Sequence, residues 1–313
     1  MKDLPPLLFS GSSNLELASQ IAKLLQIDLS LRNLHLFPDK EIFVEILQPV
    51  QDRDTFIVQS LFNDPNVHLM ELLVMADALK RAKARSITAI LPYFGYARQD
   101  RMINYGTPIT AKLVADLIVC AGINKVITLD LHSEQIEGFF DIPVDHLVSR
   151  CIFTHYCKTA GIKNAVIVAP DKGSIKIASG FSKELGWPMA LIDKERLNPF
   201  HVAMRFFIGN VADKTVILTD DICSTAGTLV HAANRCQELG AKKIIALVSH
   251  ALFVKDALAQ LTKSPIEQVI TTDSISLSQE MKSHPKIHVV SVASLFSSAI
   301  QQASSFRFCT AKI

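Results

Sequence analysis

No window of this 313-residue chain stays apolar for the roughly 18 residues that a membrane-spanning helix needs. The greasiest stretches, "VIVAP" and "KKIIALVSHALFV", are interrupted well before that length. Near the start, "MKDLPPLLFSGSS" offers only Leu7 to Phe9 as a continuous apolar run. That is too short for the core of an export signal. The six cysteines, Cys120, Cys151, Cys157, Cys223, Cys236 and Cys309, form no CxxC pair, which argues against a thiol-ligated metal or redox motif. Reduced, mostly buried thiols in a cytoplasmic enzyme are expected. A large charge excess is also missing: 32 basic residues against 30 acidic ones leave +2. This excludes a general nucleic-acid binder, and any anionic ligand must be held by a local site rather than by a global field. GxxxxGK[ST], GxGxxG and HExxH are all absent, which removes the commonest nucleotide loops and the zinc-protease helix.

What is present is a repeating rhythm. With 49% apolar and 20% charged residues the composition is globular. At this length two domains are expected. Short runs rich in Val, Ile and Leu ("DTFIVQS", "SITAILPYF", "KVITLDLHS", "NAVIVAPDKG", "KTVILTDD", "KKIIALVSH") read as strands buried on both faces. Amphipathic stretches separate them. In "NLELASQIAKLLQ" the apolar face is assigned to Leu15, Leu17, Ala18, Ile21 and Leu24, and "HLMELLVMADALKRAKA" is the strongest helix signal. Strands alternating with helices predict α/β layers around mainly parallel sheets. The cadence runs once before about residue 148 and again after it, so domains of 1–148 and 149–313 are expected, with the final helix, "ASLFSSAIQQAS", a candidate to pack back on the first. The segment 193–211, with three Lys/Arg side chains, a His and an Asn-Pro pair, reads as a mobile loop near the chemistry.

The stretch "VILTDDICSTAGTL" (216–229) carries the functional signal. "VILT" reads as a strand, "DDICSTAGT" as the turn leaving its C-terminal edge, and "LVHAANRCQEL" as a helix stopped by Gly240. Open α/β sheets bind ligands at that edge. A carboxylate such as Asp220 or Asp221 suits a sugar diol or a hydrated Mg2+. Ser224, Thr225, Ala226, Gly227 and Thr228 are small enough to let backbone N–H groups close around a phosphate at a helix N-terminus. A sugar diol beside a phosphate describes ribose 5-phosphate. The plainer reading is an Asp-rich turn with Thr225 or Thr228 as helix cap.

The same stretch resembles the phosphoribosyl pyrophosphate-binding signature of type I phosphoribosyltransferases and ribose-phosphate pyrophosphokinases. "FPDKEIFVEI", "LMELLVMADALKRA", "PYFGYARQDR", "DLHSEQIEGFFDIPVDHL", "APDKG" and "IDKER" are similar to successive blocks of the pyrophosphokinases, from about Leu7 to about Ala299. The resemblance implies two tandem type I phosphoribosyltransferase-like domains, assembled as homo-oligomers, commonly hexamers. It implies ATP and ribose 5-phosphate as substrates, phosphoribosyl pyrophosphate and AMP as products, Mg2+ as cofactor, and no nucleic-acid or membrane partner. By position, Arg98 and Gln99 contact ATP, while Asp39, Lys40 and Glu41 form the adenine turn reached from a neighbouring subunit. His132 and Asp171 are implied as metal ligands, Lys194 and Arg196 as the catalytic cations (Arg196 also touching ribose 5-phosphate), and Asp220, Asp221 and Ser224 to Thr228 as the ribose 5-phosphate site.

Four departures stand out. Ser224 replaces the usual Asp, and Lys40 the customary Gly. In "GSIKIA", Ser174 replaces a Gly, and Ile177 takes an Arg position with Lys176 beside it. "KERLNPFHVAMRF" differs from the family's catalytic loop. Two other functions therefore stay in view: a phosphoribosyltransferase, for which residues 1–148 are hard to explain, and a non-catalytic regulatory paralogue.

Overall fold

The computed structural model describes residues 4–198 and 201–304, with the side chains of 193–198 and 201–205 outside that description. In chain order the elements are β1 (Leu7–Ser10), α1 (Leu15–Leu25), β2 (Arg32–Leu36), β3 (Ile42–Ile46), β4 (Asp54–Val58), α2 (Pro65–Arg81), β5 (Ser86–Leu91), α3 (Thr110–Cys120), β6 (Lys125–Leu129), a short 3-10 helix (Glu134–Phe139) and β7 (Val144–Leu147). There follow α4 (Arg150–Thr159), β8 (Ala165–Ala169), α5 (Ile175–Leu185), β9 (Met189–Asn198), β10 (His201–Ile208), β11 (Thr215–Cys223) and α6 (Gly227–Glu238). The chain closes with β12 (Lys243–Ala251), α7 (Ala257–Lys263), β13 (Gln268–Thr272), α8 (Gln279–Ser283), β14 (Ile287–Val290) and α9 (Ala293–Ala303). Two compact units result: Met1–Leu147 with Ser274–Ser276 and Ser291–Ile313, and Val148–Asp273 with Leu277–Val290.

The first unit is built on a parallel sheet in the order β1-β4-β5-β6-β7. Alternation along its strands feeds two apolar layers. Phe9, Ile57, Ala89, Leu91 and Val126 point to α2 and α3. Leu8, Phe56, Val58, Ile90, Ile127 and Leu129 point to α1 and α9. In α1 the buried stripe is Leu17, Ala18, Ile21, Ala22 and Leu25. Leu15 and Leu24, assigned to that face from the sequence, are about half exposed, at 56% and 51%. The phase is set by α9, whose Val292, Ala293, Phe296, Ala299 and Ile300 share that layer. A helix turned by one residue would lose this contact. The antiparallel β2–β3 hairpin forms a separate ribbon. It is tied down where Arg32 donates to the carbonyls of Ser10 and Gly11, and where Val44 and Ile46 meet the α2 layer.

The second unit repeats the plan. Its sheet runs β10-β9-β8-β11-β12-β13-β14, parallel throughout except for the β9–β10 pair. Omitting the β9–β10 hairpin, the order β8-β11-β12-β13-β14 matches β1-β4-β5-β6-β7, with a strand hairpin inserted after the first strand and its helix in each unit. The sequence rhythm is thus a true repeat of topology. Val166, Val168, Val216, Leu218, Ala246 and Val248 face α6 and α7, while Ile167, Ile217, Ile245, Leu247 and Ile270 face α4 and α5.

Two expectations are corrected here. The segment read as a mobile loop is largely strand: β9 and β10 pair antiparallel, Ala203 against Glu195 and Met204 against Lys194, with register shifts at His201/Val202 and Met204/Phe206. Asn198, the first residue of the Asn-Pro pair, is the last residue of β9 and pairs with His201. Second, β11 does not stop at "VILT" but continues through "DDIC", because its ladder with β12 runs on to Cys223↔Ala251. Phe296, fully buried at 0% exposure between α9 and the first sheet, is the anchor of the C-terminal helix. Phe296→Ala should lower unfolding free energy by about 3–5 kcal/mol, as measured by urea denaturation.

Candidate active site

The extended β11 places Asp220 and Asp221 at the C-terminal edge of the sheet, on opposite faces by strand alternation. Asp221 is buried and Asp220 half-buried. Each carboxylate is anchored locally: Asp220 Oδ1 accepts from the Asp221 amide at 3.1 Å, and Asp221 Oδ1 from the Ile222 amide at 2.9 Å. Burial, followed by the negative charges of Asp221 and of Asp171 on the β8–α5 turn, pushes the Asp220 carboxyl well above the usual carboxylate range. Two neighbouring acids thus add to the cost of charge on Asp220. Bringing a cation or the hydroxyls of a sugar to this edge would relieve that cost.

Beyond Cys223 the chain turns through Ser224 and Thr225 into Ala226, which sits in the left-handed region at φ 65° and precedes the first residue of α6. Neither Thr225 nor Thr228 caps the helix; the N-cap is Ala226, with no side-chain cap hydrogen bond. The plainer reading of this stretch, a threonine-capped turn, therefore fails, and the helix presents its N-terminal N–H groups without a side-chain acceptor. Gly227 leaves room in front of them. A β-carbon there would meet protein only at ordinary distances, 3.7 Å from Thr225 Oγ1, so neighbouring residues do not demand the glycine. The turn is held from behind by the loop after β12. The amides of Leu252 and Phe253 both donate to the Cys223 carbonyl, at 2.9 and 3.1 Å, and that of Val254 to the Ser224 carbonyl at 3.0 Å. Phe253 takes φ 41° and is buried in the α6–α7 core. The sequence reading missed this clasp, since nothing in "ALFV" marks a backbone contact with residues 223–224.

The β8–α5 turn carries Asp171, whose Oδ1 accepts from the amides of Gly173 (3.0 Å) and Ser174 (3.2 Å). Ser174 is buried and its hydroxyl donates to the Asp171 carbonyl at 3.0 Å. The serine standing where the family has glycine thus serves to close the turn. Ile177 packs into the α4–α5 core, and the exposed cations of this region are Lys172 and Lys176.

In the first unit, Asp39, Lys40 and Glu41 occupy the exposed tip of the β2–β3 hairpin. Asp39 Oδ1 accepts from the Glu41 amide at 3.1 Å. Lys40 has φ 73°, the conformation that explains a customary glycine at this position. His35, Phe37 and Phe43 form an aromatic cluster beside the tip, with Phe37 partly exposed; the sequence reading passed over it. Arg98 and Gln99 are exposed in the turn before α3. Gln99 Oε1 accepts from Thr110 Oγ1 at 2.6 Å and its carbonyl from the Ala111 amide, so this residue also closes the N-terminal turn of α3. His132 is exposed just beyond β6. The backbone of Lys194 and Arg196 lies in β9; their side chains fall outside the described residues.

Among the described residues, no three His, Cys, Asp or Glu side chains converge to hold a metal by themselves, and no helix is long and apolar enough to cross a membrane. Cys157, Cys223 and Cys236 are buried, and burial pushes their thiols up to about 11, about 12 and about 12. Cys120 and Cys151 are exposed. Iodoacetamide at pH 8 should therefore label Cys120 and Cys151 in the native protein and spare Cys157, Cys223 and Cys236, as read by peptide mass spectrometry.

Comparison with known proteins places this arrangement. A family model described as the N-terminal domain of ribose phosphate pyrophosphokinase matches residues 6–122, and one described as a phosphoribosyl synthetase-associated domain matches residues 198–306. The chain is 45% identical over 295 residues to a ribose-phosphate pyrophosphokinase of Campylobacter jejuni, covering 94% of each. It is 43% identical over 300 residues to one of Fusobacterium nucleatum, covering 95% of each. The crystal structure of phosphoribosylpyrophosphate synthetase from Mycobacterium smegmatis matches with a TM-score of 0.90 and 38% identity, over 96% of this chain and 99% of that one. Two domain models in sequence order, and full-length similarity in both sequence and structure, establish that the chain belongs to the ribose-phosphate pyrophosphokinase family.

Proposed function

We propose that this protein transfers the pyrophosphoryl group of ATP to the anomeric hydroxyl of ribose 5-phosphate, giving phosphoribosyl pyrophosphate and AMP for nucleotide biosynthesis. The observation that carries this reading is the β11–α6 junction. There a crowded acid pair, one member buried and the other half-buried, is followed by a helix end with no side-chain cap and a glycine whose added β-carbon would meet no close neighbour. A ribose 5-phosphate fits both halves: its diol takes carboxylate oxygens, and its phosphate takes the amides and hydroxyls of Ser224 to Thr228. Ser224 in place of Asp removes a negative charge from beside that phosphate.

The nucleotide is assigned to residues of the first unit. The Arg98 guanidinium grips phosphate or stacks on the base, Gln99 addresses a base edge with its free amide nitrogen, and Asp39 to Glu41 form the adenine turn. That turn serves a neighbouring subunit in a homo-oligomer, taken as a hexamer from the family. Mg2+ fits the donors present: with no three-ligand cluster among the described residues, this ion takes few protein ligands and keeps water and substrate oxygens, and His132 and Asp171 are each assigned to it. When bound, it supplies neutralisation of polyphosphate charge.

The chain's own part in the chemistry is positioning and charge compensation. Asp220 and the following turn orient the sugar so that its anomeric hydroxyl faces the β-phosphorus. Lys194 and Arg196 offset negative charge as the bond between the α- and β-phosphates breaks. Removing one such preorganised donor costs about 3–4 kcal/mol, or a few hundred-fold in rate. Lys194→Ala should therefore lose at least about a hundred-fold in kcat with ribose 5-phosphate binding nearly intact; a kcat within a few-fold of the parent rejects the assignment. The function itself is tested by incubating pure protein with ATP, Mg2+ and ribose 5-phosphate, with and without inorganic phosphate, and measuring AMP. AMP formed only when ribose 5-phosphate is present is the expected result. Nucleotide binding without AMP under every condition would make the protein a non-catalytic regulatory paralogue instead.

A further inference from the structure

We infer that His146 is a positioning residue for the reaction: through a neutral imidazole it fixes the turn that presents His132, and it does so from a different strand. This rests on the function proposed above.

β6 ends at Leu129, and the next residue, Asp130, takes φ 38°, a left-handed conformation that is uncommon for non-glycine residues, though less so for Asp, and that is stabilised by its surroundings here. The stabilisation comes from β7, which pairs with β6 in parallel, Thr128 against His146. Two successive amides of the turn are taken by β7: Asp130 N–H donates to the Leu147 carbonyl at 3.0 Å, and Leu131 N–H donates to His146 Nε2 at 2.9 Å. The second bond is unusual because a ring nitrogen accepts from a backbone amide inside a sheet edge. A nitrogen that accepts carries a lone pair and no proton, so the hydrogen of the neutral ring is on Nδ1. Nδ1 lies 2.6 Å from Glu137 Oε1, on the short 3-10 helix that follows the turn. Glu137 thus holds the proton on Nδ1, which frees Nε2 to accept, in the way a second hydrogen bond sets which nitrogen of a metal-binding histidine is available.

The geometry leaves little slack. The His146 side chain is only 12% exposed, and Leu131 is buried against the α2–α3 layer. Without an acceptor, the Leu131 amide would have to find water or the turn would have to open. His132 is the next residue and shares its peptide plane with the Leu131 carbonyl, so an opened turn re-aims the imidazole assigned to the metal. A merely structural His146 would affect folding alone; a positioning His146 affects nucleotide use without weakening sugar-phosphate use.

The test compares wild type with His146→Leu and His146→Gln. Leucine keeps bulk and removes the acceptor. Glutamine places a carbonyl oxygen near the former Nε2 position, so it restores the acceptor for Leu131 while giving up Glu137. Amide hydrogen exchange across residues 129–133 is measured on magnesium-free protein, alongside melting temperature and steady-state kinetics for ATP and ribose 5-phosphate at varied Mg2+. In His146→Leu, exchange at Leu131 should quicken at least about tenfold, as expected when an amide loses a buried acceptor. kcat/KM for ATP should fall at least about tenfold while KM for ribose 5-phosphate stays within about twofold, the pattern of a misplaced group on one substrate's side. His146→Gln should recover most of both losses. Unchanged Leu131 exchange in His146→Leu overturns the inference whatever the activity does. So does a glutamine variant as impaired as the leucine one, or a leucine variant that loses only melting temperature. If His146→Leu does not fold, His146→Asn, which keeps the Glu137 side and lacks the Nε2-side acceptor, takes its place in the same comparison. Wild type that forms no AMP would sink the proposed function, while the exchange comparison would still decide the role of His146.

Discussion

The parallel ladder between β11 and β12 is the constraint on which the candidate site depends. It runs two residues past Asp221, to Cys223 opposite Ala251, and that extra length does three things at once. It drives two adjacent carboxylates to the rim of a sheet whose faces are apolar. It leaves so little chain before α6 that Ala226 must adopt a left-handed backbone. It also sets the Cys223 and Ser224 carbonyls where the amides of residues 252–254 can clasp them. Crowded acids and an uncapped helix end are both unfavourable for an isolated protein, and both become favourable once a polyhydroxylated, phosphorylated ligand is present.

The two units solve the same packing problem twice. Each stacks a parallel sheet, with the same order of five strands at its centre, between two helical layers, and each inserts a strand hairpin after its first strand and helix. In the first unit this hairpin carries Asp39 to Glu41, and in the second it carries Lys194 and Arg196 in β9. The residues assigned to adenine and those assigned to catalysis thus lie on corresponding elements of a duplicated plan. Corresponding loops have diverged in use. After β1, Ser12 and Ser13 are engaged by the buried Glu71 and Gln59, whereas after β8 the Asp171 turn closes on itself and leaves its lysines exposed.

Several departures from the family pattern have local physical explanations. Lys40 tolerates a glycine-like backbone at an exposed hairpin tip, at a cost in strain. Ser174 spends its hydroxyl on the Asp171 turn. Ile177 gains burial in the α4–α5 layer where an arginine would have to reach outward.

How much was legible follows from what kind of interaction sets each feature. Buried parallel strands advertise themselves as unbroken Val/Ile/Leu runs, because both faces must be apolar, so β4, β5, β6, β8, β11 and β12 and the α/β class were readable from residue order alone. So was the family, through blocks of residues whose chemistry needs specific side chains. Long-range packing was not readable. The rotation of α1 depended on α9, nearly 270 residues away, and the hairpin at β9–β10 depended on pairing that local charge and an Asn-Pro pair disguised. The Phe253 clasp and the His146–Leu131 bond use a backbone amide or carbonyl as one partner, and every residue carries those groups, so no sequence pattern can mark them. Residue order determined which chemistry is available at each strand end; only the folded chain decided which backbone groups hold that chemistry in place.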